Sequence, residues 1–196
     1  MEDIFPHCDS VDYTRLQITP EGLYSITRRR DSEKIVQYLA DMIGDLKQKS
    51  ITDATACVGG DSIQFALVFK KVHSVEWKHD NFIVLRNNIE AYGLQNIVLH
   101  EGDITKLLTW NTDVLYIDPP WGGPEYHKLR LLDLFLSNLR LDIWIEQLLK
   151  RDKYPKNIVL KLPRNYKFAR LHFLPNIDSL HFYRVSGFIL VLLTTC

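Results

Sequence analysis

One segment of the chain reads Val114-Leu115-Tyr116-Ile117-Asp118-Pro119-Pro120-Trp121, an apolar run followed at once by an acid, two prolines and an aromatic. The apolar run predicts a buried strand. The prolines fix φ and lack a backbone N–H, so the loop after the strand presents carbonyl acceptors that are held in place. Asp118 can accept a hydrogen bond from an exocyclic amine, and Trp121 offers a flat face for stacking. The segment therefore indicates a strand end that positions an amino group of a nucleobase, whereas Pro119-Pro120 alone would indicate only a turn.

Strands and helices alternate on both sides of this segment. Seven predicted strands cover residues 50–54, 72–76, 96–100, 113–117, 157–161, 179–185 and 188–193. Predicted helices cover residues 32–47, 61–69, 81–92 and roughly 131–150, and residues 1–31 are predicted to be irregular. Repeated β-α units imply a mainly parallel sheet with helices on both faces, and Ser186-Gly187 joins the last two strands as a hairpin. The sequence thus predicts an α/β protein with a mainly parallel seven-stranded sheet and a C-terminal antiparallel hairpin.

Length and composition fit one globular domain of 196 residues, 46% of them hydrophobic. The formal net charge is zero, whereas proteins that grip a long duplex carry a strongly basic face, so a nucleotide or an RNA end is the expected partner. No apolar run reaches the ~20 residues of a membrane span, and the first residues lack a signal-peptide pattern. Three widely spaced cysteines, Cys8, Cys57 and Cys196, fit neither a disulfide framework nor a metal site. We therefore expect an intracellular, monomeric protein without a bound metal.

Three further motifs follow predicted strands, whose carboxyl ends meet at the sheet edge where ligands bind. After the first strand, Asp53-Ala54-Thr55-Ala56-Cys57-Val58-Gly59-Gly60 carries two glycines that let the backbone approach a ligand, without the pattern of a dinucleotide fingerprint or a P-loop. Glu76, at the end of the second strand, can accept hydrogen bonds from a ribose diol. After the third strand, Asp103 can accept from an adenine amine and Ile104 can pack on its ring. Each motif alone also fits an ordinary turn, but together with Asp118 the set would face one crevice.

This constellation resembles the class I S-adenosylmethionine-dependent methyltransferases, and among them the trimethylguanosine synthases, which are RNA cap guanine-N2 methyltransferases. The resemblance covers roughly residues 20–193, and its most specific part is Pro119-Pro120-Trp121-Gly122-Gly123-Pro124. Further similar segments lie at residues 21–27, 53–66, 86–93 and 162–165. The resemblance implies a Rossmann-like fold, S-adenosylmethionine as cofactor, and methyl transfer to N2 of the guanine in the N7-methylguanosine cap of an RNA partner.

The resemblance also implies roles for individual residues. The catalytic set would be Asp118, Pro119, Pro120 and Trp121. The cofactor would be bound by Asp53, Ala54, Thr55, Cys57, Gly59, Gly60, Glu76, Asp103, Ile104 and Asp118. The capped substrate would be bound by Trp121, Gly122, Gly123, Pro124, Tyr24, Ser25, Lys128, Arg130, Arg164 and Asn165. Residues 1–31 would form an extension that contributes to the cap side, and residues 32–196 would form the methyltransferase domain.

The chain departs from the family at several positions. Asp118 stands where the family often has Ser, and the aromatic pair before Ser25 is reduced to Leu23-Tyr24. Arg28-Arg29-Arg30 looks like an insertion that could bind cap phosphates or be a solvated basic run. Two other functions stay open: an amino-methyltransferase for a base of uncapped RNA or DNA, and a non-catalytic cap-binding protein on the same fold. The Gly-Gly-Pro after Trp121 argues against the first, and the intact carboxylates argue against the second.

Overall fold

The computed structural model describes residues 1–196 and contains six helices and nine strands. In chain order these are α1 (Pro20–Ser25), α2 (Arg29–Ile43), β1 (Ser50–Asp53), α3 (Gly60–Ala66), β2 (Lys71–Glu76), α4 (His79–Tyr92), β3 (Ile97–Glu101), α5 (Ile104–Leu107), β4 (Val114–Ile117), β5 (Phe135–Leu136), β6 (Leu139–Arg140), α6 (Leu141–Leu149), β7 (Asn157–Pro163), β8 (Ile177–Arg184) and β9 (Phe188–Thr195). Short 3-10 helices cover Tyr13–Arg15, Leu46–Gln48, Pro124–Lys128 and Phe168–Phe173. None of the helices combines the length and apolar character needed to cross a membrane.

The main sheet has seven strands in the order β3-β2-β1-β4-β7-β9-β8. The first five in this order are parallel to one another, and β9 pairs antiparallel with both β7 and β8. This confirms the predicted mainly parallel sheet with a C-terminal antiparallel hairpin. The chain order reverses between β1 and β4, so the carboxyl ends of these two strands frame the crevice in which such sheets bind ligands.

The apolar run of β4 explains why helices cover both faces of the sheet. Its four residues are all fully buried and alternate between two hydrophobic clusters. Leu115 and Ile117 pack with Trp144 of α6, and Tyr116 packs on the opposite face with Phe65 of α3. A strand that is apolar on both faces is stable only between two helical layers, which is the arrangement of a central parallel strand.

The N-terminal residues pack against the sheet layer as part of the core. Phe5 is fully buried in a third cluster with Leu85 of α4, and the phenol of Tyr92 donates a hydrogen bond to the carbonyl of Pro6. Within the stretch predicted to be irregular, α1 forms because Thr19 caps its start, with its hydroxyl accepting from the N–H of Gly22. The prediction of irregular structure was therefore wrong for Pro20–Ser25 and for the start of α2.

The predicted helix over residues 131–150 is the other difference. Only Leu141–Leu149 is helical, and Phe135–Leu136 pairs with Leu139–Arg140 around Ser137, which has a φ of 52°. The reason is tertiary pairing: the N–H of Leu132 donates to the carbonyl of Asn165, and its carbonyl accepts from the N–H of Lys167. These contacts hold the start of the segment extended, whatever its helix propensity.

Candidate active site

Two cavities lie side by side at the carboxyl ends of the parallel strands. They enclose about 700 Å³ and about 1170 Å³ of empty space, part of it open to solvent. Five residues border both cavities: Ser25, Thr55, Cys57, Asp118 and Pro120. A ligand in one cavity therefore meets a ligand in the other at the residue that begins the proline-rich loop.

The first cavity lies over the ends of β1, β2 and β3. It is bordered by seven of the ten residues predicted to bind the cofactor, namely Ala54, Thr55, Cys57, Glu76, Asp103, Ile104 and Asp118. Asp53, Gly59 and Gly60 do not border it. The sequence motifs that follow three separate strands are thus brought together at one opening.

Glu76 ties the loop after β1 to the end of β2. Its Oε2 accepts from the N–H of Cys57 at 2.8 Å and its Oε1 accepts from the N–H of Lys78 at 2.7 Å. Burial raises the pKa of Glu76, while the two backbone N–H groups act in the opposite direction. Each oxygen of a carboxylate has a second lone pair, so Glu76 can still accept from a diol in the cavity.

Asp103 caps the short helix α5 at the floor of the same cavity. Its Oδ1 accepts from the N–H and the hydroxyl of Thr105, at 2.9 and 2.7 Å. Burial acts to raise the pKa of Asp103, but hydrogen bonds from Thr105 and Ser137 hold it below its usual value. Asp103 is therefore an ionised acceptor beside the apolar side chain of Ile104.

The two glycines shape the loop without lining the cavity. Gly59 has a φ of 100°, in the left-handed region that favours glycine, and it starts α3. A Cβ on Gly60 would lie 2.6 Å from Cγ1 of Ile26 and 2.9 Å from the carbonyl oxygen of Thr27. Glycine at this position lets α3 pack directly against the connection between α1 and α2.

Asp53 lies beneath the loop and is almost fully buried. It accepts from the hydroxyl of Ser62 at 2.6 Å and from the N–H of Thr55 at 3.1 Å. Burial and the neighbouring carboxyl of Asp61 raise the pKa of Asp53 to about 8. Its contacts shape the loop from below, so its influence on a ligand is indirect.

The second cavity is bordered by the proline-rich loop, α1 and β9. Five of the ten predicted substrate residues border it: Tyr24, Ser25, Trp121, Gly123 and Pro124. The ring of Trp121 meets Tyr126 edge to face, with the ring centroids 5.1 Å apart. The indole N–H of Trp121 is buried and acts on the neighbouring carboxylate of Asp118, whose pKa it lowers. The cavity therefore combines aromatic surface with a few polar groups, as a base-binding site requires.

Asp118 lies at the junction of the two cavities. Its N–H donates to Oγ1 of Thr55 at 2.8 Å, and its Oδ2 accepts from Nζ of Lys161 at 2.6 Å. Burial raises the pKa of Asp118 to about 6, even though the positive charge of Lys161 acts to lower it. The acid of the proline-rich loop is thus held by both its backbone and its side chain.

A chain of buried hydrogen bonds extends from Lys161 into the core. Lys161 also donates to Oγ1 of Thr27 at 2.6 Å, and Thr27 donates to Oδ2 of Asp61 at 2.6 Å. The phenol of Tyr116 donates to the same oxygen of Asp61 at 2.8 Å. The network joins β4, β7, α3 and the connection between α1 and α2, so the floor of the second cavity is cross-linked by polar contacts.

The other five predicted substrate residues lie outside the second cavity. Lys128 pairs with Glu125 within its own 3-10 helix, and the guanidinium of Arg164 donates to the carbonyl of Ser186. Arg130 is exposed, and Gly122 lies in the loop without bordering the cavity. Of the run Arg28-Arg29-Arg30, only Arg28 borders the cavity, while Arg29 pairs with Glu33.

Asn165 supports the loop that carries the aromatic residues. Its Nδ2 donates to the carbonyl of Tyr126 at 2.9 Å and to that of Leu129 at 2.8 Å. Both acceptors belong to the segment directly after the proline-rich loop. The structure therefore gives Asn165 a role in holding this segment.

Sequence reasoning missed Lys161 and Thr27 as site residues. A usable signal existed for Lys161, because it is a charged residue at the carboxyl end of the predicted fifth strand, where ligands bind in parallel sheets. Thr27 carried no such signal, since its contact with Lys161 joins residues 134 positions apart.

The sheet order, the carboxylates at the ends of β2, β3 and β4, and the loop that follows β4 define the fold of a class I methyltransferase. The same fold occurs in the 16S rRNA N2 G1207 methyltransferase of T. thermophilus, solved in complex with AdoMet and guanosine. The two structures superpose with a TM-score of 0.68 at 14% identity, over 94% of this chain and 45% of that one.

A model of the RNA cap guanine-N2 methyltransferase family matches residues 48–185, and the chain belongs to that family. It is 28% identical to the trimethylguanosine synthase of Saccharomyces cerevisiae, over 82% of this chain and 52% of that protein. It is also 26% identical to protein L320 of Acanthamoeba polyphaga mimivirus, over 94% of this chain and 79% of that protein. The match therefore spans about half the length of the yeast enzyme, and the family resemblance drawn from the motifs is confirmed.

Proposed function

We propose that this chain transfers a methyl group from S-adenosylmethionine to N2 of the guanine in the N7-methylguanosine cap of RNA. One observation carries the proposal: the acidic, proline-rich loop stands where the two cavities meet, with Asp118 and Pro120 bordering both. Family membership supports the same reaction. Methyl transfer requires a cofactor and an acceptor base to be held next to each other, and the adjoining cavities provide that arrangement.

The first cavity fits S-adenosylmethionine by the chemistry of its lining. Glu76 offers oxygens for a ribose diol, Asp103 offers an ionised acceptor for an adenine amine, and Ile104 offers apolar surface for the ring. None of these groups is a cradle for phosphate, and the loop after β1 has no P-loop pattern. When bound, the cofactor supplies an electrophilic methyl group.

The second cavity fits a guanine that already carries a methyl group at N7. Such a base is cationic, and stacking on Trp121 would contribute cation–π attraction of ~0.5–2 kcal/mol. Asp118 is already paired with the ammonium of Lys161, whose Nζ lies 5.5 Å from the centroid of the Trp121 ring, so the cation–π contact and not a net negative charge would favour the cation. A neutral guanine would gain less from stacking on Trp121, so the cavity should select the N7-methylated base.

Asp118 and the proline-rich loop would orient the amino group. The lone pair of guanine N2 is delocalised into the ring, so the nitrogen attacks only when it is well aligned. Hydrogen bonds from N2 to the carboxylate of Asp118 and to the carbonyl of Pro119 would aim it, and such orientation can supply up to ~7–11 kcal/mol of the barrier. We propose that Asp118 orients N2 and that a separate base is unnecessary, because the methylated nitrogen releases its proton readily.

Asp118 also favours a second candidate, methylation of a base amino group in uncapped RNA or DNA. An acid is usual at this position in other amino-methyltransferases, whereas the cap family often has Ser. The Gly-Gly-Pro that follows Trp121 favours the cap substrate. The two candidates differ in substrate and share the cofactor cavity and Asp118.

Mass spectrometry separates the candidates. The chain is incubated with S-adenosylmethionine and either N7-methylated GTP, plain GTP or an uncapped oligonucleotide. We expect a gain of one or two methyl masses on the N7-methylated compound alone. Transfer to the oligonucleotide alone would replace the cap proposal by the second candidate. Asp118→Ala, which should lose most of the transfer activity, is the control for a contaminating enzyme.

A further inference from the structure

A lysine lies inside the apolar interior of the sheet. Lys161 is on the interior strand β7, between β4 and β9, and is only 5% exposed, and its neighbours Leu160 and Leu162 are fully buried. An ammonium in such surroundings is unstable unless charged and hydrogen-bonding partners replace water. Lys161 also borders the second cavity, so this costly arrangement lies at the functional site.

Two oxygen atoms from distant segments hold the ammonium. Oδ2 of Asp118 and Oγ1 of Thr27 each lie 2.6 Å from Nζ of Lys161. Thr27 donates its own hydroxyl proton to Asp61, so its oxygen can only accept from Lys161. The position of the ammonium is therefore fixed by the chain itself, before any substrate binds.

The same contact gives the two oxygens of Asp118 different roles. Oδ2 accepts from Lys161 at 2.6 Å, whereas Oδ1 is not bonded to Lys161 and keeps a lone pair for a further donor. The buried indole N–H of Trp121 also acts on this carboxylate and lowers its pKa, and the N–H of Asp118 is held by Thr55. Oδ1 is thus an acceptor on a fixed group, at the junction of the two cavities.

The charges around Asp118 make this ammonium necessary. The other titratable groups that face the site are Asp61 on α3, Asp53 on β1, Cys57 in the loop after β1 and Tyr116 on β4, together with four that border the second cavity: Tyr24, Arg28, Asp31 and Tyr126. Burial raises the pKa of Asp118, Lys161 lowers it and Asp61 raises it, which leaves it at about 6. Without Lys161, Asp118 would hold a proton at neutral pH, and its protonated oxygen would donate instead of accepting.

We propose that Lys161 is a positioning residue for Asp118: its ammonium keeps the carboxylate ionised, holds Oδ2, and leaves Oδ1 to accept from the amino group that is methylated. The identity of that amino group rests on the proposed function, whereas the effect of Lys161 on Asp118 does not. Lys161 does not border the first cavity, so it should influence transfer without influencing cofactor affinity.

The test compares the wild-type chain with Lys161→Met, which keeps the side-chain length and removes the charge. Lys167→Met is the matched control, because Lys167 pairs with Asp133, with 2.7 Å between Nζ and Oδ2, and borders neither cavity. The carboxyl carbon of Asp118 is followed by ¹³C NMR across pH, with its signal assigned by its loss in Asp118→Asn. We expect the midpoint of the Asp118 titration to rise by at least about one pH unit in Lys161→Met and to stay unchanged in Lys167→Met. An unchanged midpoint in Lys161→Met overturns the inference, whichever base is methylated.

Kinetics give a second readout with N7-methylated GTP as substrate. In Lys161→Met, kcat at pH 7 should fall at least about twofold, as a one-unit rise in the pKa of Asp118 from about 6 requires, and the acid limb of the pH profile of kcat should move to higher pH. The Kd for S-adenosylhomocysteine should stay within about twofold of the wild type. A wild-type chain that methylates no cap analogue counts against the proposed function, and the NMR titration still decides the role of Lys161.

A double variant tests whether Lys161 acts through Asp118. In an Asp118→Asn background, Lys161→Met should cause little further loss of kcat, because the carboxylate that it positions is already gone. The same fold loss in both backgrounds would overturn the proposal. The double variant removes both members of the Lys161–Asp118 pair and so does not leave the Asp118 carboxylate buried without its partner, which supplies the comparison if Lys161→Met alone does not fold.

Discussion

The N–H of Cys57 donates to Oε2 of Glu76 at 2.8 Å, so the loop after β1 is fastened to the end of β2 across the first cavity. The contact joins residues 19 positions apart and leaves the carboxylate facing the opening. Glu76 consequently anchors the loop that borders the first cavity, and we predict that it also accepts hydrogen bonds from a ligand bound there.

Replacement of Glu76 by Gln should weaken cofactor binding. A hydrogen bond to a charged group contributes ~1.5–3 kcal/mol, so the Kd for S-adenosylhomocysteine should rise about 10- to 100-fold in isothermal titration calorimetry. Glu101→Gln is the matched control, because Glu101 ends the neighbouring strand β3 but pairs with His79 outside the cavity. Equal effects of the two substitutions would contradict the assigned role of Glu76.

Replacement of Trp121 by Ala should raise KM for N7-methylated GTP. Loss of base stacking costs ~1–3 kcal/mol, which corresponds to about a 5- to 100-fold rise, and Trp121→Phe should retain part of the affinity. Phe173, which is 85% exposed and borders neither cavity, provides the control Phe173→Ala. A KM that is unchanged in Trp121→Ala would show that the base binds elsewhere.

Replacement of Asp53 by Asn should flatten the dependence of stability on pH. Burial raises the pKa of Asp53 to about 8 in the folded chain, whereas an unfolded Asp titrates near ~4. At pH values between these two pKa values, Asp53 binds fewer protons in the unfolded state than in the folded state. The contribution of its protonated form to stability is therefore lost as pH rises through about 8. The free energy of unfolding, measured by urea unfolding, should therefore decrease from pH 5 to pH 8 in both proteins, but the decrease in Asp53→Asn should be smaller than that in the wild type by about 1 kcal/mol or more.

Asp113 offers the control for this titration. Burial acts to raise the pKa of Asp113, but hydrogen bonds from Ser50 hold it below its usual value. Its contribution is then fully present throughout pH 5 to 8, and Asp113→Asn should lower stability equally at both values. If Asp53→Asn behaves in the same way as Asp113→Asn, Asp53 is ionised in the folded chain and the prediction is wrong.

Replacement of Gly60 by Ala should destabilise the fold through a single methyl group. The new Cβ would press on Ile26 and on the backbone oxygen of Thr27, and overpacking of this kind costs ~1–3 kcal/mol. Gly187→Ala has nothing within 4 Å of its new Cβ and should change stability by less than ~0.5 kcal/mol. Thermal unfolding of both variants measures the difference, and equal midpoints would argue against close packing at Gly60.

The sheet was predictable from the sequence because its strands carry strong local signals. The strands β1, β2 and β4 all begin and end within one or two residues of their predicted bounds. The clustering of Glu76 and Asp103 at the first cavity was predictable for the same reason, since Glu76 ends β2 and Asp103 lies two residues after β3. Residues placed by local sequence are the ones that sequence reasoning can find.

The floor of the second cavity could not be predicted in the same way. Lys161 meets Asp118 and Thr27 through contacts that span 43 and 134 residues, and no local pattern encodes such pairings. Asn165 lies in residues 162–165, a segment that resembles the family, but its contacts with the carbonyls of Tyr126 and Leu129 depend on the tertiary path of the loop. The helix expected over residues 131–150 failed for the same reason, because Leu132 pairs with a distant segment.

The N-terminal segment links the release of a ligand to local unfolding. Phe5 anchors it in the interior, while Ser25, at the end of α1, forms a wall of both cavities. A fluctuation that lifts residues 1–28 would dismantle the binding site while the sheet stayed intact, so local opening and release of ligand become one event. Bound ligand should therefore slow amide hydrogen exchange in α1 before it affects the strands, which couples occupancy of the site to the persistence of the first helix.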